Sequence, residues 1–381
     1  MKKIAIVTAT RAEYGILTPL IKSIEEDVDL QLELIVTGTH LSDKHGMTVS
    51  FIQNDGVEIA EQIPILAEGN APYDISVTMA NALCGFADYF RKNHPDAVVL
   101  LGDRTEMLGI AAAAMNERIP IFHIHGGEVT EGAVDDCVRH ALSKMSYLHF
   151  TSTEDYRKRV IQLGEGPERV YNVGALSTEN ILHVPLMDEA AIREAAGIPE
   201  HMPYAVVTFH PVTLEGSAEE QTLEVCKAMG EENGFFYLIT KANADVGGDI
   251  VNHIFETFAA NHKNVILVDN LGMVRYLSAV KYASMVLGNS SSGIIEAPVL
   301  GTPTVNIGQR QKGRMLAETV INCEAKREDI VQAIGKASNM EHKVSLMYGD
   351  GNTSAKIVEI MKDYLFNSKI DLRKGFYDIN A

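Results

Sequence analysis

Residues 97–104 read Ala97-Val98-Val99-Leu100-Leu101-Gly102-Asp103-Arg104, an unbroken apolar run that ends on a glycine and two opposite charges. A run with no polar alternation is expected to be buried on both faces, as the strands of a parallel sheet are. Residues 105–116 then follow a helical pattern, and Ile119–Ile124 is the next apolar run. Strand, helix and strand within about thirty residues make a βαβ unit. Working outward, Ile4–Val7, Leu32–Val36, Leu148–Phe150 and Val170–Val173 read as further strands of the same kind. Helical patterns fill the gaps at 15–26, 73–92, 134–145 and 154–163. The pattern then restarts, with strands expected at Ala205–Phe209, Phe236–Ile239, Val265–Val268, Met285–Leu287 and Thr304–Ile307. Helices are expected near 217–230, 248–260, 272–280, 291–299 and 327–337.

Two α/β units in tandem follow from this reading: 1–178, 179–355, and a last segment, 356–381, whose amphipathic helix (about 353–366) can cross back to the first unit or pack on the second, a choice its pattern alone does not make. A chain of 381 residues suits two domains. In open parallel sheets ligands bind beyond the carboxyl ends of the strands, so two sheets facing an interdomain cleft are expected. The polar residues that follow each apolar run are then the ones that carry chemistry.

The formal net charge is −18. It excludes a nucleic-acid or anionic-membrane footprint, both of which want a basic surface. It leaves room for an anionic small molecule, which a single arginine or a helix N-terminus can hold. Cys84, Cys137, Cys226 and Cys323 are far apart and lack metal-ligand spacing, so they read as reduced thiols of a cytoplasmic protein. The apolar run after Lys3 is too short for a signal-peptide core, and no stretch reaches the length of a membrane span.

Eight segments sit at expected strand ends or on the helices that follow. Thr8-Ala9-Thr10-Arg11-Ala12-Glu13-Tyr14-Gly15 follows the first strand, and Arg11 offers a forked cation for a diphosphate or is a solvated turn residue. Asp103-Arg104 ends a buried strand, which is costly unless the charges are paired or used; Asp103 can otherwise cap the next helix. In His123-Ile124-His125-Gly126-Gly127-Glu128 the two histidines would share one strand face, with a metal disfavoured and a satisfied core histidine the plainer reading of His123. Val134-Asp135-Asp136-Cys137-Val138-Arg139-His140 offers the helical pairs Asp135–Arg139 and Asp136–His140, which can also be mere surface bridges.

In the second half, His210 follows a strand and suits a general acid or a phosphate partner. Lys241-Ala242-Asn243-Ala244-Asp245 ends another strand, with Asn243 a ligand or a turn former. The most specific segment is Gly288-Asn289-Ser290-Ser291-Ser292-Gly293-Ile294-Ile295-Glu296-Ala297-Pro298. Its hydroxyls and free N–H groups make an anion cradle at a helix start, and Glu296 stands about one turn in, able to accept from ribose hydroxyls. Asn306-Ile307-Gly308-Gln309-Arg310-Gln311-Lys312-Gly313-Arg314 adds two arginines that reach a phosphate or face solvent.

Taken in order, these segments resemble the hydrolysing UDP-N-acetylglucosamine 2-epimerase family, and within it the bacterial sialic-acid-pathway (NeuC-type) branch. The resemblance spans essentially the whole chain. It implies an α/β fold of two Rossmann-like domains with parallel sheets facing a cleft, the GT-B type. It also implies a homodimer or higher homo-oligomer, a UDP-sugar substrate, and no metal or other cofactor. The implied reaction eliminates UDP from C1 as the C2 proton leaves, giving a 2-acetamidoglucal. Water then adds to C1 and a proton returns to C2 from the other face, giving N-acetylmannosamine. The resemblance assigns Asp103 and Asp135 as catalytic carboxylates and His210 to the leaving diphosphate. It assigns Arg11, Ser290 and Ser291 to diphosphate contacts and Glu296 to the ribose; the segments read above add Asn243, Ser292, Arg310 and Arg314 as further binding candidates. Many family members carry Glu where this chain has His125, although the branch it most resembles carries His. Either His125 or Glu128 then takes the remaining proton transfer. The rival readings are a 2-epimerase of UDP-2,4-diacetamido-2,4,6-trideoxy-glucose, a GT-B glycosyltransferase, and a non-catalytic UDP-sugar sensor.

Overall fold

The computed structural model describes residues 1–69, 71–129, 134–211, 218–242, 248–269, 271–368 and 370–379. The chain divides into two compact units: residues 1–180 together with 348–381, and residues 181–347.

The first unit holds seven strands: β1 (Lys2–Thr8), β2 (Leu30–Thr37), β3 (Ile59–Ile63), β4 (Ala97–Leu101), β5 (Ile121–Ile124), β6 (Leu148–Thr151) and β7 (Val170–Asn172). They form one parallel sheet in the order β3-β2-β1-β4-β5-β6-β7. The continuous apolar runs are explained by helices on both faces. Ile4 and Ile6 of β1 pack in a layer with Leu17, Leu20 and Ile24 of the helix Arg11–Glu25. Their neighbours Ala5 and Val7 point the other way, into a layer with Phe86, Phe90 and Ile110. Strand order reverses between β1 and β4, so the loops leaving these two strands part there, and the carboxyl ends of β1 and β4 border a natural ligand crevice.

The second unit repeats the plan with β8 (Tyr204–Thr208), β9 (Phe236–Thr240), β10 (Val265–Val268), β11 (Met285–Gly288), β12 (Thr304–Ile307) and β13 (Val320–Cys323). The order is β10-β9-β8-β11-β12-β13, again all parallel, with the reversal between β8 and β11.

The structure adds strands β3 and β13 and the helices Leu176–His183 and Glu189–Ala196 to those expected. β3 reads Ile-Ala-Glu-Gln-Ile and is exposed at its middle residues, so it carries no continuous apolar signal. The helix Thr353–Lys362, continued by a π-helical turn Asp363–Asn367, belongs to the first unit. Its Ile357 and Met361 are fully buried in the layer formed by the helix Arg11–Glu25. Each such side chain stabilises by about 1.5–3 kcal/mol. The return to the first unit begins at Tyr348, ahead of the boundary expected at 355. Ala175 donates its N–H to the Tyr348 carbonyl (2.6 Å), and Thr353 donates its hydroxyl to the Val173 carbonyl (3.2 Å). These long-range bonds have no local sequence signal.

Candidate functional site

In the first unit the loops after β1, β4 and β5 and the helix Val134–Met145 gather the charged residues. Asp103 does not cap a helix: the next helix starts at Glu106 with Thr105 in the cap position. Instead its carboxylate accepts a hydrogen bond from Arg139 Nη2. Arg139 is 5 % exposed, and its second branch lies 3.7 Å from Asp136, which in turn lies 3.4 Å from His140 Nε2. An arginine this deeply buried is held in place by its carboxylates. The helical pair expected for Arg139 is thus replaced by a long-range partner. Asp135 stands exposed in the first turn, where its field helps to hold the Arg104 cation.

Arg104 donates to Glu106 Oε1 (2.6 Å). Burial works against its charge, and Glu106, Glu13 and Asp135 outweigh that cost. Glu13, which sequence reasoning passed over, is 7 % exposed and accepts the Ala9 N–H at 2.9 Å. Burial pushes its carboxyl up to about 7, although the Arg104 charge opposes the rise. Thr10 Oγ1 accepts the Glu13 N–H (3.2 Å), so Thr10 and Glu13 form a capping pair. The Thr-x-x-Glu spacing was the signal for it. Arg11 is exposed at the start of the same helix, its guanidinium 4.5 Å over the Phe51 ring.

His123 is fully buried, and its Nε2 donates to the Gly102 carbonyl (2.7 Å). Burial lowers its pKa to about 3, which keeps it neutral and structural. His125 does not share its strand face. It falls past the end of β5 with φ +65°, in the left-handed region, so period-two alternation stops at Ile124. Its N–H is held by the Phe150 carbonyl (2.9 Å), and Nδ1 lies 3.7 Å from Glu128 Oε1. Its Nε2 is buried without a partner among the described residues. Glu128 accepts from the Ser152 hydroxyl at 2.7 Å. A polar backbone outlier beside a carboxylate is the kind of strain that functional sites hold.

In the second unit the reversal between β8 and β11 brings two loops together. His210 donates its backbone N–H to Asn289 Oδ1 (2.7 Å), and Asn289 Nδ2 donates to the His210 carbonyl (2.8 Å). Asn289 is 1 % exposed. Arg310 Nη1 (3.1 Å) and Gln311 Nε2 (2.8 Å) both donate to the Asn289 carbonyl. Gly288 makes this crossing possible. Its φ is +141°, and a Cβ there would fall on the Thr208 carbonyl oxygen.

Ser291 precedes the helix Ser292–Leu300 without making a side-chain cap bond, which leaves its hydroxyl uncommitted to helix capping. Ser290 Oγ accepts the Ser292 N–H (3.3 Å). Ser292 donates to Glu296 and accepts from the Tyr276 hydroxyl (2.8 Å). Burial raises the pKa of the Glu296 carboxyl, with Ser292 opposing the rise. Arg314 does not join this group and instead lines a cavity beside β13. Asn243 lies outside the described residues. Among the described residues no group of three or more His, Cys, Asp or Glu side chains could hold a metal ion, and no helix is long and apolar enough to cross a membrane.

Two Rossmann-like units, one with an acid-base cluster and one with a serine-rich helix start, define the class of nucleotide-sugar enzymes of GT-B type. Comparison with known proteins narrows it. Residues 22–362 match the family model described as UDP-N-acetylglucosamine 2-epimerase. The chain is 38% identical to a GDP/UDP-N,N'-diacetylbacillosamine 2-epimerase (hydrolyzing) of Campylobacter jejuni, over 99% of each chain. It is 39% identical to polysialic acid biosynthesis protein P7 of Escherichia coli, over 100% of this chain and 98% of the relative. Among solved structures, UDP-GlcNAc 2-epimerase from Neisseria meningitidis bound to UDP-GlcNAc superposes with a TM-score of 0.78 at 17% identity, covering 95% of this chain and 99% of that one. The chain belongs to the UDP-N-acetylglucosamine 2-epimerase family, as an enzyme of the hydrolysing 2-epimerase kind.

Proposed function

We propose that this enzyme hydrolyses UDP-N-acetylglucosamine with inversion at C2, releasing UDP and N-acetylmannosamine for sialic acid biosynthesis, as a cytoplasmic homodimer. The observation that carries the reading is the lock between His210 and Asn289. It ties the His210 backbone to the residue that precedes the Ser290–Ser292 donors, where a departing diphosphate would gain negative charge.

The second unit binds the nucleotide. Ser290, Ser291, Ser292 and Arg310 meet the diphosphate oxygens, and Glu296 accepts from the ribose hydroxyls. The first unit moves the protons. The C2–H bond breaks as a carboxylate takes the proton, its electron pair forms the C1–C2 double bond, and the C1–O bond to UDP breaks. Water then adds to C1, losing a proton to a second base, while C2 is protonated on the opposite face. Asp103, Asp135, His125 and Glu128 are the groups for these transfers. The C2 proton is weakly acidic, so the first step depends on positive charge or donated hydrogen bonds at the leaving phosphate. His210 supplies that help. Replacing His210 with Ala is expected to lower kcat by about a hundredfold or more, with a much smaller loss in UDP affinity. Turnover near wild type would remove His210 from the mechanism.

A second reading, UDP-2,4-diacetamido-2,4,6-trideoxy-glucose as substrate, is favoured by the names of two relatives, at 38% and 33% identity. A cavity of about 760 Å³ in the first unit runs from Arg104 and Glu106 to Leu41, Ile65, Leu66 and Ile75. Those apolar side chains suit the methyl groups of such a sugar. Comparing kcat/KM for the two UDP-sugars decides between them, and release of UDP with no acceptor present excludes a transferase.

A further inference from the structure

The second unit holds a second cavity, of about 480 Å³, between the loop after β12, the strand β13 and the helix Arg327–Ala337. Its volume suits a monosaccharide carrying one charged group. Gln311 forms the wall nearest the diphosphate loop and is 4 % exposed. Its Nε2 donates to the Asn289 carbonyl, an atom that only accepts, so the orientation of the amide is fixed. Among the described residues Oε1 has no hydrogen-bond partner and is buried.

The charges of the lining point to the ligand. Lys312, Arg314 and Lys336 all border the cavity, and among the described residues none of them enters an ion pair. Asn322 and Gln332 add amide groups on the far wall. Two acids, Glu324 and Asp329, also border it. The three cations outnumber them by one, and Gln309 Nε2 also donates to Glu324 (3.1 Å).

We infer that this cavity is a second ligand site, distinct from the nucleotide cradle, for a small anionic sugar: its phosphate or carboxylate meets Lys312, Arg314 and Lys336, and its hydroxyls meet the amides of Asn322 and Gln332. Occupancy is read by the active site through a short path. Gln311 holds the Asn289 carbonyl, and the Asn289 side chain holds the backbone of His210. A ligand that tightens Gln311 therefore biases the position of the imidazole.

The test is calorimetric titration of the intact protein saturated with UDP, so that the nucleotide cradle is filled and its own binding is read separately. The probes are N-acetylglucosamine 6-phosphate, glucuronate, N-acetylglucosamine and inorganic phosphate. The expected result is that a charged sugar binds at least tenfold more tightly than neutral sugar or inorganic phosphate, and that UDP does not displace it. Preference between the first two probes tells a phosphate ligand from a carboxylate one. Lys336→Glu and Gln332→Leu should each weaken that binding tenfold while UDP affinity stays within twofold. Displacement by UDP, equal binding of inorganic phosphate, or no binding of either charged sugar would overturn the site. Binding that leaves UDP-sugar turnover unchanged would overturn the coupling to His210.

Discussion

Replacing Asn289 with Ala tests the lock at the second sheet's reversal. The side chain makes two hydrogen bonds to the His210 backbone, at 2.7 and 2.8 Å, and the residue is 1 % exposed. Each buried bond of this kind contributes about 0.5–1.5 kcal/mol, and its loss leaves the His210 N–H and carbonyl without water to replace the partner. Two such losses sum to about 1–3 kcal/mol for the second unit. The bonds from Arg310 and Gln311 use the Asn289 backbone carbonyl and survive the substitution. Asn289→Asp sharpens the test. It keeps an acceptor for the His210 N–H but sets an oxygen against the His210 carbonyl, so it should destabilise at least as much as Ala. The chain has no tryptophan, so urea unfolding is followed by far-UV circular dichroism, with UDP release as the activity readout. Unfolding is analysed per transition, since two units need not unfold together. A loss below 0.5 kcal/mol with turnover within about twofold of wild type would refute the reasoning.

The Glu13 carboxyl is raised from 4.5 to about 7, so the folded state binds the extra proton between those values and its stability falls as pH rises through that window. Glu13→Gln should flatten this slope and gain up to about 3 kcal/mol above pH 7; thermal melts at pH 5 and pH 8 check it, and an unchanged slope contradicts it. Glu165 is fully buried and accepts from Lys144 and Lys374, both at 2.8 Å, with His149 at 3.2 Å. Burial would raise its pKa, but these three partners pull it down to about 2. The stability it contributes is therefore present above pH 4.5 and lost as pH falls towards 2. Lys374→Met should cost about 1–3 kcal/mol and make acid unfolding begin at higher pH, which a melt series from pH 7 to pH 3 will show.

Much of the fold was legible because a parallel sheet covered on both faces leaves continuous apolar runs. Ala97–Leu101 and Met285–Gly288 are such strands, and both lie within the expected spans to a residue. β3 and β13 were not legible. They are edge strands most of whose residues are partly or wholly exposed, so neither leaves a continuous apolar run. The candidate site was legible as a set of strand ends, since Asp103, His210 and Ser290 all follow strands. Its internal wiring was not. Nothing local tells that Arg139 leaves its own helix for Asp103, that His125 turns out of its strand, or that Asn289 is spent on His210. Glu13 was hidden for a different reason: its spacing marks a helix cap, and only the burial around it makes the carboxyl unusual.

The proposed reaction is elimination followed by hydration at C1 and reprotonation at C2. Proton NMR of the enzyme with UDP-N-acetylglucosamine in heavy water, with no acceptor or cofactor added, tests it most directly. The expected products are free UDP and N-acetylmannosamine carrying deuterium at C2. Release of N-acetylglucosamine with its C2 proton intact would contradict it, because the C1–O bond would then have broken without any chemistry at C2.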